Sequence, residues 1–275
     1  MLHSAGIEVA VWEWPGGDPP LLFAHATGFH GRCWDHIIRM LPERRCLAID
    51  ARGHGRSSKP APPYAWRTFG PDLVQVAAAL GVRDAIGIGH SMGGHVTVQA
   101  CAVRPETYAA LLLVDPTIFP RDYYGGPVPD VSSTLRRRNR YQSADEMFER
   151  FHSRAPFKRW QPEILRDYCD YGLLPNGDGY VLACPPQVEA SIYEHSKETA
   201  ADIYTEIAMV RQPVTVMRAA RTRQPYAFDL SASPTSPDLA AHFASNREVV
   251  LENATHYIAM EEPDLVAAEI RTLMK

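Results

Sequence analysis

Residues 86–94 read Ile-Gly-Ile-Gly-His-Ser-Met-Gly-Gly, and this stretch decides the fold. The apolar run 84–88 predicts a short buried strand, and residues 94–103 read as a helix that follows directly. Between them, residues 89–93 match Gly-x-Ser-x-Gly, the sharp strand-to-helix turn that exposes a serine hydroxyl. Such a turn leaves little space beside the serine, so both flanking positions need glycine. The start of the helix also directs free backbone N–H groups at an oxyanion formed beside Ser91.

Composition sets the class of protein. The 275 residues carry a formal net charge of −4, with 45% hydrophobic and 22% charged residues, which is ordinary for a globular enzyme. This charge favours neither nucleic acid nor an anionic membrane as a partner. No apolar stretch is long enough for a membrane span, and the first residues do not resemble a secretory signal.

Cysteine usage indicates the compartment. The five cysteines are odd in number, scattered, and never spaced as Cys-x-x-Cys. This pattern favours reduced thiols in the cytoplasm over a disulfide framework or a zinc site. We expect no metal and no cofactor.

The rest of the chain alternates between strand and helix patterns, which predicts a mostly parallel, doubly wound sheet covered on both faces. Strands are predicted over 7–14, 21–24, 46–49, 84–88, 109–114, 213–217 and 249–251. Helices are predicted over 34–41, 69–80 (with Gly81 as C-cap), 94–103, 143–152, 187–209, 238–244 and 263–274.

The alternation stops in the middle of the chain. From 117 to 211 there are amphipathic segments and several aromatic residues, but no clear buried strand. We interpret 117–211 as a helical cap inserted into a core domain formed by 1–116 and 212–275.

A serine nucleophile needs a base within hydrogen-bond reach, usually a histidine held by a carboxylate. Because the chain order in folds with this turn is Ser, acid, His, the base is sought late in the sequence. His242 lies in a predicted helix, whereas His256 follows the last strand, where strand-end loops gather. We therefore predict His256 as the base.

Four stretches in this order resemble motifs of the α/β-hydrolase superfamily, and they span nearly the whole chain. They are His25-Ala26-Thr27-Gly28 with Trp34, Asp50-Ala51-Arg52-Gly53-His54-Gly55-Arg56-Ser57, Gly89–Gly93, and Thr255-His256-Tyr257 with Glu261 and Pro263. The resemblance implies an oxyanion hole made by the backbone N–H groups of Thr27 and Met92. It also implies structural roles for Asp50, Arg52 and His54, and packing roles for His90 and His95.

The resemblance leaves three candidates for the acid. Members of the family commonly carry it just after the strand that is 213–217 here, but residues 218–224 contain no carboxylate, and the first one downstream is Asp229. A minority place it after the strand that follows the helix of the serine turn, which is the position of Asp115. We favour Asp115 over Asp229, with Glu252 as a third candidate.

The resemblance implies a serine hydrolase with a Ser91–His256–Asp115 triad. A serine at the turn excludes the family's dehalogenases and epoxide hydrolases, which use aspartate there. We expect hydrolysis of a carboxylic ester or lactone of an apolar small molecule through an acyl-enzyme. The alternatives are a cofactor-free perhydrolase or C–C bond hydrolase with the same triad, and a ligand-binding receptor on this scaffold. The arginine-rich stretch 136–140 is interpreted as a solvated surface.

Overall fold

The computed structural model describes residues 1–4, 6–222, 229 and 231–275. The strands are β1 (Leu2–Ser4), β2 (Ile7–Val9), β3 (Val11–Trp14), β4 (Gly17–Ala24), β5 (Arg44–Ile49), β6 (Ala85–His90), β7 (Tyr108–Val114), β8 (Arg140–Tyr141), β9 (Leu173–Asn176), β10 (Gly179–Leu182), β11 (Val214–Ala219) and β12 (Asn246–Leu251). The α-helices are α1 (Asp35–Arg39), α2 (Phe69–Ala79), α3 (Met92–Val103), α4 (Ser132–Leu135), α5 (Ala144–Phe151), α6 (Pro162–Tyr171), α7 (Pro186–Glu194), α8 (Tyr204–Met209), α9 (Ile258–Glu261) and α10 (Pro263–Leu273).

A central sheet organises these elements. Its strand order is β12-β11-β7-β6-β4-β5-β3. The pairs are parallel, except that the edge strand β3 runs antiparallel to β5. The predicted mostly parallel, doubly wound sheet is therefore confirmed, and the carboxyl ends of β4, β6, β7 and β11 meet at one edge.

The apolar strand runs are buried because helices cover both faces of the sheet. Successive residues of β7 show this: Leu111 and Leu113 pack into one hydrophobic cluster, and Leu112 packs into the other. The first cluster includes residues of α2 and α3, and the second includes residues of α1 and α10. A strand with apolar contacts on both sides cannot alternate with polar residues, which explains the continuous runs in the sequence.

The segment between β7 and β11 contains α4 to α8 and a small antiparallel sheet in the order β8-β10-β9. Helices were predicted here over 143–152 and 187–209, which correspond to α5 and to α7 with α8, whereas α4, α6 and the sheet were not identified. β9 and β10 pair from Asn176 to Gly179 across a two-residue turn, in which Gly177 has φ +60°. The strands are only four residues long and β9 contains Pro175, so their alternation was too short to detect.

Several predicted helices differ from those observed. The helix predicted over 187–209 is interrupted after α7, and it resumes at α8, where the Asp202 carboxylate accepts a hydrogen bond from the Tyr204 N–H. The segment 238–244 forms only a 3-10 turn over Leu239–His242. The predicted C-cap at Gly81 is confirmed by its φ of +63° and by the bond from its N–H to the Ala78 carbonyl.

Within the described part of the chain, no helix is long and apolar enough to cross a membrane. All five cysteines are buried free thiols.

Buried histidines make the fold sensitive to acid. Burial lowers the pKa of His30 to about 4, of His90 to about 3 and of His95 to about 4. An unfolded histidine titrates near 6.5, so below that pH the unfolded chain binds more protons than the folded chain. The free energy of unfolding should therefore fall as the pH decreases from 6.5 towards 4, by up to about 1.4 kcal/mol per pH unit for each histidine.

Urea unfolding at pH 7.5, 6.5 and 5.5 measures this slope. We expect His95→Gln to flatten it and the matched change at exposed His152 to leave it unchanged. If the free energy of unfolding changes with pH equally in wild type and His95→Gln, His95 does not contribute to the acid sensitivity.

Candidate active site

The serine turn lies at the centre of the sheet edge. Ser91 has φ +56° and ψ −120°, between the end of β6 and the first residue of α3. A Cβ on Gly89 would lie 2.4 Å from the Gly93 carbonyl oxygen, and a Cβ on Gly93 would lie 2.1 Å from the Ala24 carbonyl oxygen. Both distances are far below van der Waals contact. The two glycines are therefore required by backbone packing, for the reason that the sequence suggested.

Three of the predicted site residues form one chain of hydrogen bonds. The Ser91 Oγ lies 2.9 Å from His256 Nε2, and His256 Nδ1 lies 2.6 Å from Asp115 Oδ2. All three side chains are buried. Since the carboxylate can only accept, Nδ1–H donates to Asp115, and Nε2 accepts from the Ser91 hydroxyl.

The other two acid candidates lie in different surroundings. Asp229 accepts hydrogen bonds from Arg221 (2.9 Å) and from the Ser231 hydroxyl (2.6 Å). Glu252 is exposed in the turn after β12. Arg223 and Gln224, in the loop where the family commonly has its acid, lie outside the described residues. The geometry around His256 thus supports Asp115.

Asp115 lies directly after β7 with φ +42°, a conformation that non-glycine residues rarely adopt. Its Oδ1 accepts hydrogen bonds from the Ala219 N–H (2.9 Å) and the Ser233 hydroxyl (2.7 Å). With His256 on Oδ2, both oxygens are bonded, which offsets the cost of burying a carboxylate. Ser233 was not identified from the sequence, because nothing local marks a residue 118 positions away as a partner of Asp115.

A second hydroxyl that was not predicted lies beside the serine. Thr117 Oγ1 is 3.0 Å from Ser91 Oγ, and the Thr117 N–H donates to the Ser91 carbonyl at 2.9 Å. Because the Ser91 proton is directed at His256, the Thr117 hydroxyl is left as the donor to Ser91. This bond holds the serine oxygen in place.

The predicted oxyanion residues flank Ser91. The Thr27 hydroxyl lies 3.5 Å from the Met92 sulfur. Among the described residues, the N–H groups of Thr27 and Met92 make no hydrogen bond. Two free donors beside a buried serine are what an oxyanion requires.

Two histidines fix the loop that carries Thr27. The Gly28 N–H donates to His54 Nε2 (3.0 Å), and the Ala51 N–H donates to His25 Nε2 (2.9 Å). In both rings Nδ1 faces a carbonyl oxygen, so Nδ1 carries the proton and the ring is neutral. Burial lowers the pKa of both histidines and thereby preserves this pattern. The geometry gives His54 the structural contact that was expected of it.

The turn formed by residues 50–57 is stabilised by Asp50 and Arg52, as the sequence predicted. Asp50 accepts hydrogen bonds from the Gly31 and Arg56 N–H groups (2.7 and 2.8 Å), and Arg52 pairs with buried Asp72. The Nε2–H of His90 donates to the His256 carbonyl at 2.8 Å, so this ring supports the backbone of the proposed base.

A small cavity of about 30 Å³ opens beside Ser91, enough for about two water molecules. It is lined by Ala26, Thr27, Phe29, Trp66, Ser91, Thr117, Phe119, Pro129, Tyr193, Ser196, Lys197, His256 and Tyr257. A second cavity of about 280 Å³ adjoins it and shares four lining residues: Thr27, Phe29, Tyr193 and Tyr257. Residues between β7 and β11 contribute to both, so this segment covers the serine.

The second cavity contains an ion pair. Arg137 donates to Glu189 at 2.6 Å and to the Tyr168 hydroxyl at 2.5 Å. The stretch 136–140 was interpreted as a solvated surface, and Arg136 and Arg138 are indeed exposed. Arg137 differs, because it lines the second cavity. Its charge is balanced by Glu189.

An ion pair joins the segment 117–211 to the loop that carries His256, the proposed base. Arg159 pairs with Glu261 (3.0 Å) and donates to the Asn253 carbonyl (2.6 Å). Glu261 also accepts hydrogen bonds from the N–H and the hydroxyl of Thr255, at 2.9 and 2.6 Å. Residues 253–261, which carry His256, are thereby fixed from outside the sheet.

Comparison with known proteins gives a consistent result. The model of the alpha/beta hydrolase family matches residues 21–269. Lipase LipV of Mycobacterium tuberculosis is 30% identical over 265 residues, covering 94% of each chain. The 2-(acetamidomethylene)succinate hydrolase of Mesorhizobium japonicum is 22% identical over 93% of this chain and 87% of its own. The crystal structure of the enol-lactonase from Burkholderia xenovorans LB400 superposes with a TM-score of 0.71 at 20% identity, covering 98% of both chains.

The bonds to Asp115 generate a prediction about the reactivity of Ser91. Ser233→Ala removes a hydrogen bond to a buried carboxylate, an interaction worth about 1.5–3 kcal/mol. We expect the rate at which a fluorophosphonate modifies Ser91 to fall about tenfold or more. Ser231→Ala is the matched control, because its hydroxyl bonds to Asp229 instead. Equal labelling rates for Ser233→Ala and wild type would refute a role for Ser233 in positioning Asp115.

Proposed function

This chain belongs to the alpha/beta hydrolase family, and we propose that it cleaves a carboxylic ester or lactone of an apolar small molecule. The observation that carries this proposal is the hydrogen-bonded series Ser91–His256–Asp115, which has the geometry of a serine nucleophile with its base and acid. Hydrolase activity is the family's general chemistry, and the ester or lactone bond is the specific part of the proposal.

In the proposed mechanism, Ser91 Oγ attacks the acyl carbon while its proton passes to His256 Nε2. Asp115 stabilises the imidazolium and keeps Nδ1–H directed away from the substrate. The carbonyl oxygen becomes an oxyanion, which accepts hydrogen bonds from the Thr27 and Met92 N–H groups. When the tetrahedral intermediate collapses, His256 returns the proton to the leaving oxygen, and an acyl-Ser91 remains. Water, deprotonated by the same histidine, then releases the carboxylic acid and restores Ser91.

The substrate class is supported by the cavities and by the relatives. The aromatic side chains of Phe29, Trp66 and Tyr257 line the cavity beside Ser91, which suits an apolar acyl or alcohol group. The names of the relatives, a lipase and an enol-lactonase among them, describe ester and lactone substrates. We propose that 117–211 acts as the cap that shapes this pocket and excludes water.

We also propose that the protein works in a reducing compartment such as the cytoplasm. The five buried free thiols support this, since a chain exposed to oxidising conditions would be expected to pair some of them.

Hydrolysis of short p-nitrophenyl acyl esters tests the proposal. We expect Ser91→Ala to lower kcat about 10⁴-fold or more and Asp115→Asn to lower it about 10³–10⁴-fold, because each removes one member of the proton-transfer series. Asp229→Asn is the matched control for the acid and should stay within about twofold of wild type.

The opposite pattern, with Asp229→Asn inactive and Asp115→Asn active, would overturn the acid assignment. Labelling of Ser91 by a fluorophosphonate without ester hydrolysis would favour perhydrolysis or C–C bond hydrolysis with the same residues. The absence of both labelling and hydrolysis would favour a binding protein.

A further inference from the structure

The hydroxyl of Thr117 lies against the nucleophile in the Ser91 cavity. Its Oγ1 is 3.0 Å from Ser91 Oγ, and Thr117 lines the cavity, although only 9% of its surface is exposed. No other hydrogen-bond partner of this hydroxyl lies among the described residues. Since Ser91 directs its own proton at His256, the Thr117 hydroxyl donates to Ser91 Oγ. This donor is therefore in direct contact with the atom that reacts.

The backbone fixes the distance between the two hydroxyl groups. The Thr117 N–H donates to the Ser91 carbonyl at 2.9 Å, and the Ser91 N–H donates to the Val114 carbonyl at 3.1 Å. From the other side, the Thr235 hydroxyl donates to the Pro116 carbonyl at 2.7 Å. These bonds do not involve the Ser91 side chain, so an acyl group on Ser91 Oγ leaves them in place. The Thr117 hydroxyl therefore stays beside Ser91 Oγ throughout the reaction.

The hydrogen bond from Thr117 acts differently in the two halves of the proposed reaction. In acylation, Ser91 Oγ begins as a hydroxyl oxygen, which accepts well, and it uses a lone pair to bond the acyl carbon. The hydrogen bond therefore does not strengthen as that transition state forms. In deacylation, Oγ begins as an ester oxygen, whose lone pair is delocalised into the carbonyl, and it leaves with a growing negative charge. A donor to this oxygen binds the transition state more strongly than the acyl-enzyme, which is the condition for catalysis.

We propose that Thr117 is a catalytic residue of deacylation. This rests on the proposed function, to which it adds the group that helps Ser91 to leave. When the second tetrahedral intermediate collapses, the bond between the acyl carbon and Ser91 Oγ breaks, and its electron pair passes to Oγ. His256 gives Oγ the proton that it took from water. The Thr117 hydroxyl keeps its own proton and donates a hydrogen bond to the same oxygen.

The ratio of acylated to free Ser91 during turnover tests the proposal. At saturating p-nitrophenyl butyrate this ratio equals the acylation rate constant divided by the deacylation rate constant. Mass spectrometry of acid-quenched enzyme measures the ratio, and fluorophosphonate titration counts the competent sites, so that unfolded protein is subtracted. The value of kcat/KM is measured as well, because it reports only the steps up to acylation. A hydroxyl that merely held the serine in place would affect kcat/KM.

We expect Thr117→Val to raise the ratio about tenfold, as the loss of one hydrogen bond to a partly charged oxygen should, and to leave kcat/KM within about threefold of wild type. Thr117→Ala removes the hydroxyl without placing a methyl group beside Ser91 Oγ, and it should do the same. Thr117→Ser keeps the hydroxyl and should retain the wild-type ratio.

Thr215→Val is the matched control. It makes the same change at a buried threonine within β11, which lines neither of the two cavities described above. Both the ratio and kcat/KM should stay at their wild-type values.

A ratio that stays within about twofold of wild type in both hydroxyl-free variants would overturn the proposal, while hydrolysis of the ester would leave the proposed function intact. A fall in kcat/KM without a rise in the ratio would assign Thr117 a purely structural role and would also overturn it. If wild type neither cleaves the ester nor reacts with a fluorophosphonate, the proposed function itself fails, and this inference fails with it.

Discussion

The steric demand of the turn at Ser91 is the constraint on which the rest of the site depends. Its glycines let the start of α3 lie directly against two other strand ends. Gly93 packs on the Ala24 carbonyl, just before the loop of Thr27, and a Cβ on Gly94 would lie 2.6 Å from the Pro116 side chain, next to Asp115. One close-packed turn thus sets the positions of the serine, the proposed oxyanion donors and the proposed acid relative to one another.

The proposed acid, Asp115, shows how the position of a carboxylate can change while its contact with the histidine is kept. Asp115 follows β7, but its Oδ1 is bonded by Ala219 at the end of β11 and by Ser233 beyond it. The strand that commonly carries the acid in this family therefore supplies one hydrogen-bond donor, the Ala219 N–H, to the proposed acid here. Because adjacent parallel strands end at the same edge, a carboxylate on either strand can reach the same histidine.

The sequence predicted the parts of the molecule that local physics determines. Apolar runs specified the parallel sheet, and the glycines around Ser91 specified the turn. The loop after the last strand pointed to His256, and the geometry around that residue supports the choice. Thr117, Ser233 and Arg159 were not found, because each acts through one contact with a residue distant in sequence. The hairpin at β9 and β10 was missed because strands of four residues carry too little periodicity.

The ion pair between Arg159 and Glu261 has a consequence for protein engineering. The segment 117–211 is a single insertion between the neighbouring strands β7 and β11, so it invites exchange as a module. Here a chimera that replaced 117–211 would remove the guanidinium that supports the Glu261–Thr255 turn, and so would disturb the backbone next to His256. A recombinant that keeps residues 253–261 together with the original segment 117–211 would preserve that support. For this chain, the natural unit of exchange is therefore discontinuous.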